Sequence, residues 1–317
     1  MVDPTLVQQL LNALQLGSLY GLIALGYSMV YGVLMLINFA HGDIFMFGAF
    51  LGVFGSFVLR LPFVPTLILS MILTALLGVT IERVAYKPLR AASRLSLVIT
   101  ALGVGLLLEN GLLALIGADP RKYPNDLFVT EVFSRVNILG VTVDLGGVSI
   151  SNVKVLVIVM AFLLFVGLYL IVKRTKWGMA MRAISYDKFA VPLMGVSQDQ
   201  VISLTFALGT GLGAAAGILW GIAYPASLDT YMGILVGWKA FIAAVVGGIG
   251  DIRGALVGGL ILGFVEIMVP YVGQLEIGGF SLGISSTWRD PIAFGLLLFI
   301  LVVRPTGIFG VARRQKV

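Results

Sequence analysis

Near residue 40 and again near residue 250, the chain sets a carboxylate beside glycines at the start of an apolar run. Asn38-Phe39-Ala40-His41-Gly42-Asp43-Ile44 is followed by Gly48-Ala49 and Gly52; Gly247-Gly248-Ile249-Gly250-Asp251-Ile252 is followed by Gly254-Ala255 and Gly258. Asn or Asp caps a helix that starts at such a point, and Gly permits a break before it. Interrupted helices within a membrane offer free backbone groups and helix-end dipoles that hold a zwitterion or an anion, so Asn38, Phe39, His41, Gly42, Asp43, Gly247, Gly248, Gly250 and Asp251 are candidates to border a substrate path. The alternative is that Asp43 and Asp251 are plain caps at a membrane surface. Three further ionisable residues, Glu109, Lys239 and Glu266, lie inside apolar runs, where a charge is costly and marks function by default. Glu109 beside Asn110 has a ready alternative in a hydrogen-bonding partner on a neighbouring helix, and Lys239 beside Trp238 in snorkelling to the interface. No chain of alternating Asp, Glu and His forms a proton relay.

Bond-making chemistry has little to work with. Cysteine is absent and His41 is the single histidine, which removes thiolate metal sites, His-rich zinc sites and Cys nucleophiles, and leaves no metal site to expect. No lysine follows a glycine anywhere, so there is no P-loop and ATP hydrolysis does not belong to this chain. The chain reads as a non-enzyme without a catalytic residue.

The elements that must position these groups are membrane helices. Of 317 residues, 59% are hydrophobic and 11% charged, with a mean hydropathy of +1.05; soluble domains run near 45–50% and about 25%. A bilayer core needs about 20 apolar residues per helix, and runs of this kind fall near 10–37, 44–60, 63–82, 96–117, 154–172, 201–223, 235–249, 254–273 and 290–303. The predicted architecture is an all-α polytopic bundle of eight or nine spans with broken helices and a two-half internal repeat. The runs 44–60 and 235–249 are short and read as half-helices. The opening MVDPTLVQQL has no basic stretch and no small-residue cleavage site, which indicates a retained first helix.

Orientation follows from Lys and Arg, which stay on the cytoplasmic side. They collect in 82–94 (Arg83, Lys87, Arg90, Arg94), in 173–199 (Lys173, Arg174, Lys176, Arg182, Lys188) and in the tail (Arg304, Arg313, Arg314, Lys316). The 118–153 connection faces outward as a small extracytoplasmic loop, its charges balanced once Lys154 is included, with Gly146-Gly147 suited to turning a short hairpin. It either shields helix ends or docks an external partner. The N-terminus lies outside if 10–37 and 44–60 are both full crossings, and inside if they form one broken span. The basic balance, with a pI of about 9.6, follows from the inner loops and calls for no nucleic acid. Ser197-Gln198-Asp199-Gln200 has capping-box spacing, and Asp290-Pro291 predicts an N-cap with Pro at the first helical position. Gly209, Gly213, Gly217 and Gly221 recur every fourth residue on one helix face, and Gly17/Gly21 and Gly254/Gly258 repeat the spacing. Such stripes serve close helix packing, within this chain or against a second copy.

The segment 173–199 is long for a tether and carries small and apolar residues, as a cytosolic helix seeking a protein groove would; an amphipathic helix lying on the membrane is the alternative. Its pattern Arg174-Thr175-x-x-Gly178-x-Ala180-x-Arg182-Ala183-x-x-x-Asp187-x-x-Ala190, closing at Gly195-Val196, resembles the coupling helix of branched-chain amino acid ABC transporter permeases of the LivH type. The runs LGSLYGLIALGYSMVYGVLMLINFAHGD and KAFIAAVVGGIGDIRGALVGGLILGFVE resemble that family's opening and closing segments, so the resemblance covers nearly the whole chain. Pro192 departs from it and predicts a coupling helix that ends by about Val191.

The resemblance implies one transmembrane permease domain, 1–317, in a bacterial cytoplasmic (inner) membrane. It would work beside a second homologous permease, two cytoplasmic ABC ATPases that hold ATP and Mg, and an extracytoplasmic amino-acid-binding protein, with no cofactor on this chain. Gly178, Arg182, Ala183, Asp187, Ala190 and Gly195 would meet the ATPase, and alternating access would move branched-chain or related hydrophobic amino acids inward. Permeases for urea, short amides or small acids share the pattern. A gradient-driven secondary carrier is the competing class.

Overall fold

Inside a bilayer every backbone N–H and C=O must find its partner within the chain, which makes apolar runs helical. The structure, a computed structural model, describes residues 4–90, 92–123, 143–144, 149–225, 228–274, 276–277, 280–281 and 285–310. Its helices are α1 (Pro4–Leu34), α2 (His41–Phe57), α3 (Phe63–Ile81), α4 (Arg94–Ile116), α5 (Asn152–Arg174), α6 (Lys176–Tyr186), α7 (Ala190–Leu193), α8 (Gln198–Ala223), α9 (Met232–Gly247), α10 (Ile252–Gly273) and α11 (Arg289–Val303). Each of the nine apolar runs coincides with a helix. Among the described residues six helices are long and apolar enough to cross a membrane: α1, α3 with its extension to Leu89, α4, α5, α8 and α10. The chain is an all-helical, multi-pass membrane protein. Two short antiparallel pairs lie between helices: β1 (Val143–Asp144) with β2 (Ser149–Ile150), and β3 (Glu276–Ile277) with β4 (Phe280–Ser281). The proposed Gly146-Gly147 turn and most of the 118–153 connection lie outside the described residues.

Helices α1 and α8 form the centre, and both are buried on nearly every side. Lipid tails are as apolar as leucine, so helices associate by close packing rather than by hydrophobicity, and glycine permits that approach. A Cβ on Gly17 would come within 2.8 Å of the Leu260 backbone, and one on Gly21 within 3.4 Å of Leu256, which ties α1 to α10. The α8 stripe packs within the chain at all four positions. Gly209 faces Gly26 of α1, Gly213 faces His41, Gly217 faces the Phe45 and Ala49 backbone of α2, and Gly221 faces Tyr123 and Leu228.

The basic segments 82–94 and 173–199 gather at one end of the bundle. Lys87 and Arg90, beyond α3, pair with Asp199 at the start of α8, each at 2.6 Å, while buried Glu82 takes Arg90 and the Ser203 hydroxyl. Lys188 donates to the Leu34 carbonyl at 3.2 Å, so α1 also ends at this basic face. With 31 residues, about 46 Å of helix, α1 is long enough to cross a membrane from that end of the bundle to the other. Ser197 caps α8 through Gln200 N–H, as its spacing predicts. Asp290 does not cap α11. The helix begins one residue earlier, at Arg289, and the Asp290 carboxylate is drawn instead to the Lys239 ammonium at 2.8 Å.

Candidate functional site

The two short helices meet end to end. Helix α2 runs away from the basic face, its Gly48 and Gly52 against Ala214 and Ile218 of α8. Helix α9 runs toward the basic face, where Ile308 and Phe309 N–H groups close its last carbonyls, Val246 and Gly247, at 3.0 and 2.9 Å. Their N-termini abut: a Cβ on Gly237 would lie 2.8 Å from Gly42 Cα, and one on Gly233 within 2.8 Å of Asp43 Oδ1 and 2.9 Å of the Gly42 carbonyl. This junction lies halfway along α4, because Gly105, the central residue of that helix, faces the Asp43 carboxylate. Neither α2 nor α9 has a side-chain N-cap, and both direct their positive dipole ends at one level.

A cavity of about 250 Å³ opens there. Its walls are aromatic and aliphatic, from Tyr27, Phe39, Trp238 and Phe241 to Leu102 and Leu106, and its polar groups are the Asp43 and Glu109 carboxylates. Both acids are buried. Asp43 Oδ1 has no hydrogen-bond partner, and Glu109 makes no hydrogen bond or ion pair among the described residues. Glycines on two helices leave room for Asp43, since a Cβ on Gly105 or Gly233 would strike its oxygens. An uncompensated pair of buried carboxylates costs free energy unless a proton or a cation neutralises them. The arrangement can hold an ammonium at the acids, a carboxylate at the helix N-termini and an apolar side chain against the rings.

Of the first-half candidates, Phe39 and Asp43 line this cavity and Gly42 forms its helix junction. Asn38 is buried elsewhere, its Oδ1 accepting from Tyr86 at 2.7 Å, and His41 is enclosed between Gly26, Gly213 and the edge of Tyr27, 4.7 Å away. The second-half candidates are not brought to it. Gly247 and Gly248 lie under the C-terminal segment, and Gly250 and Asp251 line a separate cavity at the basic face. Asp251 is a cap: its Oδ1 accepts from Arg253 and Gly254 N–H at 2.8 and 2.9 Å. The helix end that meets the first break is the start of α9, where Pro225 and Asp229 interrupt an apolar stretch and Gly233 and Gly237 lie against Gly42. That punctuation, together with the shortness of run 235–249, was the available signal for Gly233, Ile234, Gly237, Trp238 and Phe241.

Lys239 and Glu266, the other two ionisable residues of the apolar runs, belong to one network. Lys239 pairs with Glu266 and Asp290, each at 2.8 Å, and Tyr20 donates to Glu266 at 2.8 Å. Lys239 thus anchors the half-helix α9 to α1, α10 and α11 rather than snorkelling.

At the basic face, the residues of the coupling pattern build a corner. Thr175 caps α6 through Gly178 N–H; Gly178 has no side chain because a Cβ there would strike the Val172 carbonyl; and Arg182 donates to that same carbonyl. Helix α6 ends at Tyr186, inside the bound of about Val191 that Pro192 sets. The backbone of Asp187 is extended and its carboxylate accepts from Phe189 and Ala190 N–H at 2.9 and 3.0 Å, which starts the separate turn α7 containing Pro192. Ala183 and Gly195 are exposed, Ala190 half-buried, and the prominent exposed groups are Trp177, Met179, Tyr186, Phe189, Leu193 and Met194.

Residues 9–302 match the family described as branched-chain amino acid transport system / permease component. The chain is 39% identical to the high-affinity branched-chain amino acid transport system permease protein BraD of Pseudomonas aeruginosa, over 98% of both chains. It is 34% identical to the corresponding permease protein LivH of Escherichia coli K12, over 98% of this chain and 97% of that one.

Proposed function

This chain belongs to the family of branched-chain amino acid transport permeases, and on that premise we propose that it is the membrane subunit of an ATP-driven importer for hydrophobic amino acids in the bacterial inner membrane. The whole chain, 1–317, acts as one permease domain, with 118–153 outside and 173–199 toward the ATPase. The observation that carries the cargo reading is the cavity at the α2–α9 junction. A zwitterion with a branched apolar side chain has three recognition needs, and the cavity offers carboxylates, helix N-termini and aromatic walls in one volume of about 250 Å³. Urea or a short amide would leave the aromatic walls unused.

Coupling is assigned to the exposed apolar face around Trp177, Met179, Tyr186 and Phe189, with Arg182 and Asp187 holding its shape. The partners are a second permease, two ATPases and an external binding protein. ATP closes the ATPases, the corner of α5 and α6 moves as a rigid body, and the cavity opens alternately to each side. The test is uptake into vesicles carrying the assembled complex, loaded with leucine or urea through the binding protein. Leucine uptake that requires both ATP and the partner ATPase supports the reading. Gradient-driven transport by the purified chain alone sinks it.

A further inference from the structure

The second cavity, about 330 Å³, has the opposite character from the first. It lies at the basic face between the ends of α1 and α5, helix α6 and the start of α10. Lys173, Arg182 and Arg253 line it against one carboxylate, Asp251, whose Oδ1 is already engaged in capping α10. Two of the cations are held in position. Arg253 lies over the Tyr169 ring, 5.2 Å from its centroid, and donates to its hydroxyl, while Arg182 donates to the Val172 carbonyl. Lys173 has no hydrogen bond or ion pair among the described residues. A concave site with an excess of oriented donors and positive charge suits an anion, and two preset guanidiniums suit a phosphate.

We propose that this cavity binds the phosphate of an anionic lipid headgroup. The surroundings favour a lipid as the source. Helix α5 turns most of its length outward, with Phe162, Leu163 and Leu170 exposed. Phe162, Phe165 and Tyr169 form a ladder of rings at 6.4 and 6.2 Å spacing that leads to the cavity mouth. An acyl chain along that face delivers its headgroup to Lys173 and Arg253, and basic pockets between helices at the cytoplasmic side recognise anionic headgroups by this chemistry. A phosphate there joins Lys173 of α5, Arg182 of α6 and Arg253 of α10, stiffening the corner that carries the coupling face.

The experiment titrates the detergent-purified full chain with phosphatidylglycerol, phosphatidylcholine and inorganic phosphate, read by native mass spectrometry. Phosphatidylglycerol is expected to bind in preference to phosphatidylcholine. The double variant Lys173→Gln/Arg253→Gln is expected to lose roughly tenfold in that affinity, and Lys173→Arg to retain it. If the double variant melts earlier than the parent, Lys173→Gln alone carries the comparison. Equal binding of the two lipids, or unchanged binding by the variants, overturns the proposal. Inorganic phosphate that binds through the same residues, without preference among lipids, assigns the site to a soluble anion and overturns the lipid source.

Discussion

The two Gly-Asp-Ile segments were built from the same residues and do opposite work. In the first, helix α2 has already begun at His41, so Asp43 falls within the first turn, points away from the capping position and enters an acidic cavity halfway along the bundle. In the second, Gly250 adopts φ +96°, Asp251 remains extended, and helix α10 starts at Ile252, so the same carboxylate is spent on two backbone amides beside a basic cavity. A shift of three residues in where the helix starts converts a structural cap into an unpartnered buried charge. Chemistry at a helix break therefore depends on phase relative to the helix, which residue identity does not state.

The largest expected effect falls on the acidic cavity's support. Lys239→Met leaves Glu266 buried without its cation and frees the half-helix whose Trp238 forms a cavity wall; a loss of about 3–5 kcal/mol in unfolding free energy is expected in detergent. Adding Glu266→Gln should recover much of it. If the single variant melts like the parent, the cavity does not depend on that anchor.

The same conservative substitution at the two aspartates sharpens the contrast. Asp43→Asn removes a charge-assisted contact worth about 1.5–3 kcal/mol to a bound ammonium, so uptake by the assembled importer should fall roughly tenfold to a hundredfold. Asp251→Asn keeps a competent cap and should leave uptake near the parent value. Equal losses at both positions would erase the distinction.

A smaller effect, opposite in rank, is expected for stability. Asp251→Ala removes the α10 cap and should cost about 0.5–2 kcal/mol in thermal unfolding. Asp43→Ala removes an unpartnered buried carboxylate and should leave stability unchanged or raise it. A larger loss at Asp43 than at Asp251 would show that Asp43 holds the fold.

Much of the fold was legible because hydropathy acts locally. The apolar runs fell on the helices, and the two that looked too short became the half-helices α2 and α9. The lining of the α2–α9 cavity was read only in part. Phe39 and Asp43 line the cavity, but Asn38 and His41, equally polar neighbours, are turned into packing and a Tyr86 hydrogen bond. The apparent repeat led to Gly247–Asp251, which the structure sets apart from the cavity; the start of α9 abuts α2 instead, and carries Gly233 and Ala240-Phe241 at the spacing of Gly42 and Ala49-Phe50. Trp238, Phe241 and Leu106 look like ordinary membrane residues until helices distant in sequence set them around one volume. Of the coupling pattern, Gly178, Arg182 and Asp187 serve the α5–α6 corner, and the exposed apolar groups lie between and around them.

What the sequence determined by itself was therefore composition and its local consequences: a multi-pass helical membrane protein, which face gathers its cations, and which runs are too short to cross. Those follow from transfer free energies and helix geometry summed along a single segment. Only the tertiary structure decided which carboxylate serves as a cap and which leaves an oxygen without a partner, and which glycines abut. Those outcomes depend on where backbones from separate helices approach within a few ångströms, and no periodicity within one segment encodes that distance.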